Sequence, residues 1–391
     1  MGTNNMDSYI LAINPGSTST KIAVYHGKRS IVLKNISHSR EELEPFEKVI
    51  DQFEFRKQTI LAELHNSGIE LNKIQYIIGR GGMCRPISSG IYEVNKSLKE
   101  DLRIGYMGEH ASNLGGLLAD DLASSIKGAK AYIADPVVVD ELEPVARISG
   151  HPLIERASIF HALNQKMIAR NYANTINSEY EKLNLIIAHL GGGSSISAHF
   201  KGKVIDTTNG LYGEGPFSPD RAGELPAMPL VDLCFNGKYT KSDIYKIIAG
   251  KGGFIAYLGS NNMIEIMHKS TKNKFAKLIV DAFTYQVSKS ICAMSAVLQG
   301  QVDAILITGG IAYNRDIIDD ITKHVAHISR VRVYPGENEM EALASNVMMM
   351  LEKKIKPKFY GKKDVSVKAK KKVEKKSTKN VKRAEKKSGE I

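Results

Sequence analysis

The chain has 391 residues, enough for two domains with cores of their own, and its 42% hydrophobic and 25% charged residues are ordinary for a globular protein. No apolar run reaches the roughly 18 residues of a membrane span, no basic stretch followed by an apolar one opens the chain as a secretory signal would, and the three cysteines, Cys84, Cys234 and Cys292, form no CxxC pair and fit a reducing cytoplasm. The formal net charge of +12 sits at one end: residues 362–391 hold thirteen Lys/Arg and four Asp/Glu, a net of +9, which leaves 41 basic and 38 acidic groups, a net of +3, on the other 361 residues.

In chain order, strands are expected at residues 9–13 and 21–25, a helix over 44–66, a strand at 76–78, helices over 110–125 and 160–177, strands at 185–189 and 195–200, a helix over 274–299, a strand at 304–307 and a last helix over 339–353. Such alternation is that of an α/β protein. The closing run KKDVSVKAKKKVEKKSTKNVKRAEKKSGEI has no aromatic residue and no sustained apolar face. It cannot bury enough surface to offset ordering and is expected to be disordered. Charge alone would let it touch nucleic acid or acidic surfaces non-specifically; a solubilising extension without a specific partner is the favoured reading.

The opening stretch ILAINPGSTSTKIAVYHGK, residues 10–28, has a counterpart 175 residues later, LIIAHLGGGSSISAHFKGK, residues 185–203. The two align without a gap, and Gly16, Ser19, Ala23, Gly27 and Lys28 meet Gly191, Ser194, Ala198, Gly202 and Lys203. Each copy reads strand, Gly/Ser turn, strand, Gly-Lys turn, and neither is the P-loop pattern GxxxxGK[ST]. Glycine lets a backbone approach phosphate closely, and successive N–H groups in a turn form an anion nest. One such hairpin is an ordinary β-turn; two facing one cleft indicate a duplicated domain that grips a polyphosphate, with Gly191, Gly192 and Gly193 in the second copy.

Further signals follow. The segment LITGGIAYN runs an apolar strand into Gly309 and Gly310, where a base or ribose can pass the backbone. GRGG places Arg80 at a strand end, and SPDRAGELP places Arg221 in a Pro/Gly-rich loop; the guanidinium fork suits a planar carboxylate or a phosphate.

The segments NPGSTSTK, GRGG, ADPVVVDE, FHALNQK, HLGGGSS, DTTNGLYGEGPFSPDRAGELP, TGGIAYN and YPGENEMEALA occur in this order over residues 8–357. Together they resemble the acetate/butyrate kinase family, on the butyrate kinase side: the acetate branch has NSGSSS where this chain has NPGSTS, and HLGNG where it has HLGGG. The resemblance implies two duplicated actin-like ATPase (ribonuclease H-like) domains with ATP in the cleft between them. The expected division is 1–150, joined by the C-terminal helix at about 340–360, then 151–339, then the Lys-rich tail 361–391. It also implies a cytoplasmic homodimer or higher homo-oligomer that uses ATP and Mg²⁺ to phosphorylate a short-chain carboxylic acid.

Carried over residue by residue, the resemblance puts Asn14, Ser17, Ser19 and Lys21 in the first phosphate hairpin, with Asn14 near the transferred phosphoryl group. Arg80 would hold the substrate carboxylate and Arg221 would neutralise the transferring group. Asp135 would lie near the reacting centre, His161 and His189 near the γ-phosphate, and Glu339 at the magnesium site. The chemistry agrees with such a set. A carboxylate acceptor has an ordinary pKa near 4–5 and is ionised at neutral pH, so it needs no general base. Its difficulty is approaching the ATP polyanion, which calls for positive charge and positioning. A sugar-type kinase on the same fold would need a base such as Asp135 for its hydroxyl acceptor, and Arg80 and Arg221 argue against it. A nucleotide-gated binding module using the basic tail is the non-enzymatic alternative.

Overall fold

The computed structural model describes residues 8–361, so the Lys-rich run, with the disorder expected of it, lies outside the described residues. Two sheets organise the rest. The first contains β1 (Tyr9–Pro15), β2 (Ser19–His26), β3 (Arg29–Ser37), β4 (Ile74–Arg80), β5 (Ile91–Glu93) and β6 (Lys130–Ala134) in the order β3-β2-β1-β4-β6-β5. The second contains β7 (Asn184–Leu190), β8 (Ser194–Phe200), β9 (Lys203–Thr207), β10 (Ala304–Gly309) and β11 (Val331–Pro335) in the order β11-β10-β7-β8-β9. In both, a three-stranded antiparallel meander continues into two parallel strands, so β3-β2-β1-β4-β6 has the topology of β9-β8-β7-β10-β11.

Central strands buried on both faces explain why β1 and β7 are apolar throughout rather than alternating. Leu11 and Ile13 enter an outer core, and Ile10 and Ala12 the core between the sheets. In the second sheet Ile186 and Ala188 face outward, Leu185 and Ile187 inward. Helices Phe53–Asn66, Lys96–Ile104 and Asn113–Ser124 cover the outer face of the first sheet. Helices Met263–Ser270, Lys274–Val297 and Arg315–Val325 cover that of the second. Ala162–Thr175 and Glu339–Leu351 fill the space between the sheets.

The expected helix 44–66 starts only at Phe53; residues 40–52 make a short helix, Arg40–Leu43, and a 3-10 turn, Val49–Gln52. Pro45 lacks an N–H donor and disfavours helical geometry at the residue before it, which breaks the run.

Close backbone approach sets the position of Arg80. A Cβ on Gly79 would lie 2.0 Å from the Gly115 carbonyl oxygen, so only glycine lets helix Asn113–Ser124 sit this low on β4. After crossing the molecule, helix Glu339–Leu351 packs on β1, β2 and β4. Residues 358–360 then add to β5: Lys358 N–H donates to Ile91 O at 2.8 Å, and buried Tyr360 donates its hydroxyl to Asp101 Oδ2 at 2.6 Å. No helix among the described residues is long and apolar enough to cross a membrane.

Candidate active site

Strand ends and helix starts bring the polar groups together. Asn14 lies at the end of β1, Arg80 at the end of β4, His189 near the end of β7, His161 at the N-cap of helix Ala162–Thr175, and Glu339 opens helix Glu339–Leu351. Arg80 Nη1 pairs with Glu339 Oε1 at 2.8 Å and reaches Asn14 Oδ1 at 3.4 Å, while Asn14 Nδ2 donates to Glu339 Oε2. These contacts use one terminal nitrogen of Arg80. Facing them, the His161 and His189 rings stack with centroids 3.7 Å apart. His189 Nε2 lies 3.0 Å from Glu337 Oε1, and its Nδ1 lies 3.0 Å from Asn164 Oδ1.

His110, which no motif singled out, is exposed and lies close enough to Arg80, Arg221 and Glu339 to feel their charges. Its pKa is pushed down to about 4, first by loss of hydration and then by the charges of Arg80 and Arg221. Ser112 donates its backbone N–H to His110 Nδ1 at 3.1 Å, so Nδ1 is an acceptor and the neutral ring carries its proton on Nε2. Glu337 is held down to about 2, chiefly by the hydrogen bond from His189 and then by the charges of His189, His161 and Arg80. Arg221 Nη1 lies 3.2 Å from Asp220 Oδ1, and its buried Nε has no partner.

The two hairpin turns are supported differently. Behind the first, fully buried Arg56 donates to Ser19 O at 2.9 Å, Thr20 Oγ1 at 2.9 Å, Ser17 O at 3.3 Å and Gln52 Oε1 at 2.9 and 3.0 Å. Burial lowers its pKa to about 10, it stays charged at neutral pH, and it has no carboxylate partner among the described residues. Ser17 is exposed, Ser19 half-buried, and half-buried Lys21 lies opposite Asn14 across the ladder. In the second turn Gly192 has open space around it, whereas a Cβ on Gly193 would stand 2.4 Å from Gly210 O. Gly309, at φ 93, passes so close to β7 that a Cβ would meet Leu190 O at 2.2 Å; Gly310 faces open space.

The model of the acetokinase family matches residues 151–353, just over half of the chain. Butyrate kinase 2 of Clostridium acetobutylicum is 49% identical over 352 residues, 90% of this chain and 99% of that protein. The chain belongs to the acetokinase family. Among solved structures, an acetate kinase from Porphyromonas gingivalis aligns with a TM-score of 0.70 at 19% identity, over 88% of this chain and 100% of that one. A propionate kinase from Francisella tularensis aligns at 0.67 and 20% identity, over 87% and 98%. At these identities the two structures establish the shared actin-like fold, which matches the paired sheets described above.

One site residue expected from the acetokinase resemblance stands apart. Asp135, in the left-handed region at φ 38, accepts at Oδ1 from Ser89 Oγ at 2.6 Å and Gly90 N at 2.8 Å, and its Oδ2 lies 3.8 Å from Arg170. It follows β6 directly, beside the Arg80 strand, but turns toward Arg170 and the buried Lys166–Glu141 pair and makes no contact with the arginine and histidine groups. Three groups that matter were not singled out in the sequence: His110, Glu337 and Arg56. Glu337 stands two residues before Glu339 inside YPGENE, and His110 opens an expected helix. Arg56, inside an amphipathic-looking run, had no signal of its own.

Proposed function

We propose that this acetokinase-family chain transfers the γ-phosphoryl group of ATP to the carboxylate of a short-chain fatty acid, butyrate or a branched relative, giving an acyl phosphate and ADP, reversibly. The observation that carries the acceptor class is a site rich in cations and N–H donors in which the carboxylates are already paired, Glu339 with Arg80 and Glu337 with His189. After burial, the charges of Arg80 and Arg221 lower the pKa of both His110 and His161, while Asp135 spends its Oδ1 on Ser89 and Gly90. A hydroxyl acceptor would need proton removal; an ionised carboxylate needs only charge neutralisation and alignment. The 49% identical butyrate kinase 2 supports butyrate as the acid.

In this reading Arg80 holds the acid, Arg221 meets the transferring group, and His110 and His161 donate to phosphoryl oxygens. The hairpins carrying Asn14, Ser17, Ser19 and Lys21 and Gly191–Gly193 cradle the phosphates, and Gly309 and Gly310 line the nucleoside. No group of three or more His, Cys, Asp or Glu among the described residues could form a metal cage. One carboxylate, Glu339, with the Asn14 amide beside it, fits Mg²⁺ that arrives on ATP and keeps several waters. When bound, that ion would neutralise phosphate charge. The domains divide as 1–150 with the helix at about 340–360, and 151–339. The enzyme works in the cytoplasm as a homodimer or larger homo-oligomer.

A hydroxylamine trap for acyl phosphate, run with ATP and Mg²⁺ across C2–C6 acids, tests this. Butyrate should be phosphorylated and acetate should be a poorer substrate. Phosphorylation of glycerol or sugars with no acid turned over would overturn it.

A further inference from the structure

The two nitrogens of the His161 ring are not equivalent, and the hydrogen bonds behind the ring decide which one carries the proton. The chain of logic starts at a backbone carbonyl, which can only accept. Ser195 O lies 3.1 Å from Gln165 Nε2, so the Gln165 NH₂ group faces Ser195 and its Oε1 faces away. That Oε1 lies 2.9 Å from His199 Nε2, which must therefore be an N–H. His199 is fully buried, and its pKa is held well below the ordinary value first by loss of hydration and then by Lys166. Neutral, it accepts at Nδ1 from the Tyr180 hydroxyl at 2.7 Å.

On the other side, Ser195 Oγ receives Gln165 Nε2–H at 3.0 Å and the His161 backbone N–H at 3.3 Å. A hydroxyl oxygen has two acceptor positions and one hydrogen. With both positions filled, the hydrogen is left for His161 Nδ1 at 2.8 Å.

We propose that Ser195 and Gln165 are positioning residues that lock His161 in the tautomer whose Nε2–H faces the cleft, so that it meets the phosphoryl group as a neutral donor and not as a base. The functional half of this rests on the phosphoryl-transfer reading above; the tautomer does not. Nδ1 is occupied, and Nε2 has no protein partner and is not sealed from solvent. Burial first, and then the charges of His189, Arg80 and Arg221, lower the pKa of His161 well below its ordinary value and keep the ring neutral. An N–H fixed in advance costs no reorientation when charge develops on the phosphoryl oxygens. The opposite tautomer would aim a lone pair at an anion.

The full chain, labelled with ¹⁵N at histidine, reports this directly in its ring-nitrogen spectrum, with His161 assigned by its loss in His161→Gln. We expect protonated Nε2 and bare Nδ1 in the parent, and an Nδ1–H population in Ser195→Ala. With ATP, Mg²⁺ and butyrate, Ser195→Ala should lower kcat about 10- to 100-fold with KM changed less than about threefold. In a His161→Gln background, where the amide donates without help, the same serine change should cost less than about threefold. Ser195→Cys, a weaker donor of similar size, should fall between and serves if the alanine variant does not fold. Protonated Nδ1 in the parent, or an equal loss from Ser195→Ala in both backgrounds, overturns the proposal. A protein that phosphorylates no C2–C6 acid sinks the kinase reading instead, and the spectrum still decides the tautomer.

Discussion

The two hairpins align in sequence without a gap, yet they are not built alike. After a shift of 175 residues, β1 (9–15) and β7 (184–190) coincide end to end. The ladders do not. Pro15 pairs with Thr20 around four turn residues, and Leu190 pairs with Ser194 around three. Side chains alternate between faces, so a slip of one residue turns the whole strand over. Lys21 lies opposite Asn14, but its sequence counterpart Ile196 points into the outer core, and Ser195 takes the place opposite His189. The identical pair Ala23 and Ala198 ends up in different cores. The slip is what turns Ser195 and His199 toward Gln165 on helix Ala162–Thr175. Duplicated strands therefore carry different chemistry: the first hairpin brings cations, Lys21 beside it and Arg56 behind it, and the second brings glycine N–H groups and oriented neutral rings.

The largest effects should come from the two arginines proposed to meet the acid and the transferring group, Arg80 in the first half and Arg221 in the second. Arg221→Ala should lower kcat about 10³-fold or more, the lower bound for an arginine that neutralises a transferring phosphoryl group. Arg80→Ala should chiefly raise the KM for the acid, with some loss of turnover because Glu339 then loses its cation. Lysine at either place should restore only part, for want of the fork. Steady-state kinetics with acid and ATP varied separately check this. An Arg80→Ala variant altered only in its ATP dependence would show that the acid does not sit at the first sheet.

The difference between the hairpins also marks what can be read from one sequence. Strands β1, β2, β4, β7, β8 and β10 were legible because buried strands are apolar runs ending in glycine or serine turns. Strands β3 and β11 were not, because they are edges whose residues are largely exposed, and β6 has only five residues. Arg80 and Arg221 stood out locally, in GRGG and in a Pro/Gly-rich loop, whereas Asn14, His161 and His189 were singled out only through the resemblance to the acetate/butyrate kinase family. Arg56 was not: its partners Ser17 and Ser19 lie 39 and 37 residues upstream, and a buried helix arginine looks like a surface one until the fold brings the turn over it. Nothing local says which carboxylate of YPGENE faces His189, and no alignment without a gap reveals a register slip.

Arg56 tests whether the first turn depends on its buried cation. Removing it leaves two backbone carbonyls, the Thr20 hydroxyl and the Gln52 amide without their donor. Arg56→Met should cost about 2–4 kcal/mol in urea unfolding, at roughly 1–3 kcal/mol for a buried group left unpaired. It should raise the KM for ATP more than that for the acid. Arg56→Lys, which keeps the charge and loses the fork, should recover stability only in part. Equal rises in both KM values would mean that Arg56 supports the fold and not the phosphate turn in particular.

A smaller effect belongs to the second half. Glu337, hydrogen-bonded to His189, has a pKa lowered to about 2. A carboxylate stronger in the folded state than in the unfolded one stabilises the fold above its ordinary pKa of about 4.5, and that contribution is lost as pH falls from there toward 2. Partial exposure of Glu337 screens the pair, so the expected signal is modest. Between pH 6 and pH 3 the urea midpoint of the parent should fall further than that of Glu337→Gln. Parallel curves would show that the His189 pair adds nothing to stability.

The smallest effect should be that of deleting residues 362–391, and it is informative only beside a slightly longer deletion. Among the described residues the last anchored one is Tyr360, whose hydroxyl donates to Asp101 and accepts the Arg85 backbone N–H at 3.0 Å, and whose carbonyl accepts from Asn95 Nδ2 at 2.6 Å. Two residues earlier, Lys358 continues the ladder of β5 and sends Nζ to Ser89 O at 2.6 Å. Ser89 in turn holds Asp135. A chain ending at Gly361 keeps all of this, and every proposed site residue lies between Asn14 and Glu339, so its kcat should stay within about twofold of the parent and its stability within about 0.5 kcal/mol. A chain ending at Lys356 exposes the β5 edge, empties the Tyr360 pocket beside buried Cys84 and leaves Asp101 with Arg85 alone. It should lose about 3–5 kcal/mol, the usual cost of deleting a large buried aromatic group. The first half would then be the one that residues 357–361 close. A tenfold loss of turnover on removing 362–391 alone, about 1.4 kcal/mol of transition-state stabilisation, would instead give that basic run a part in the reaction.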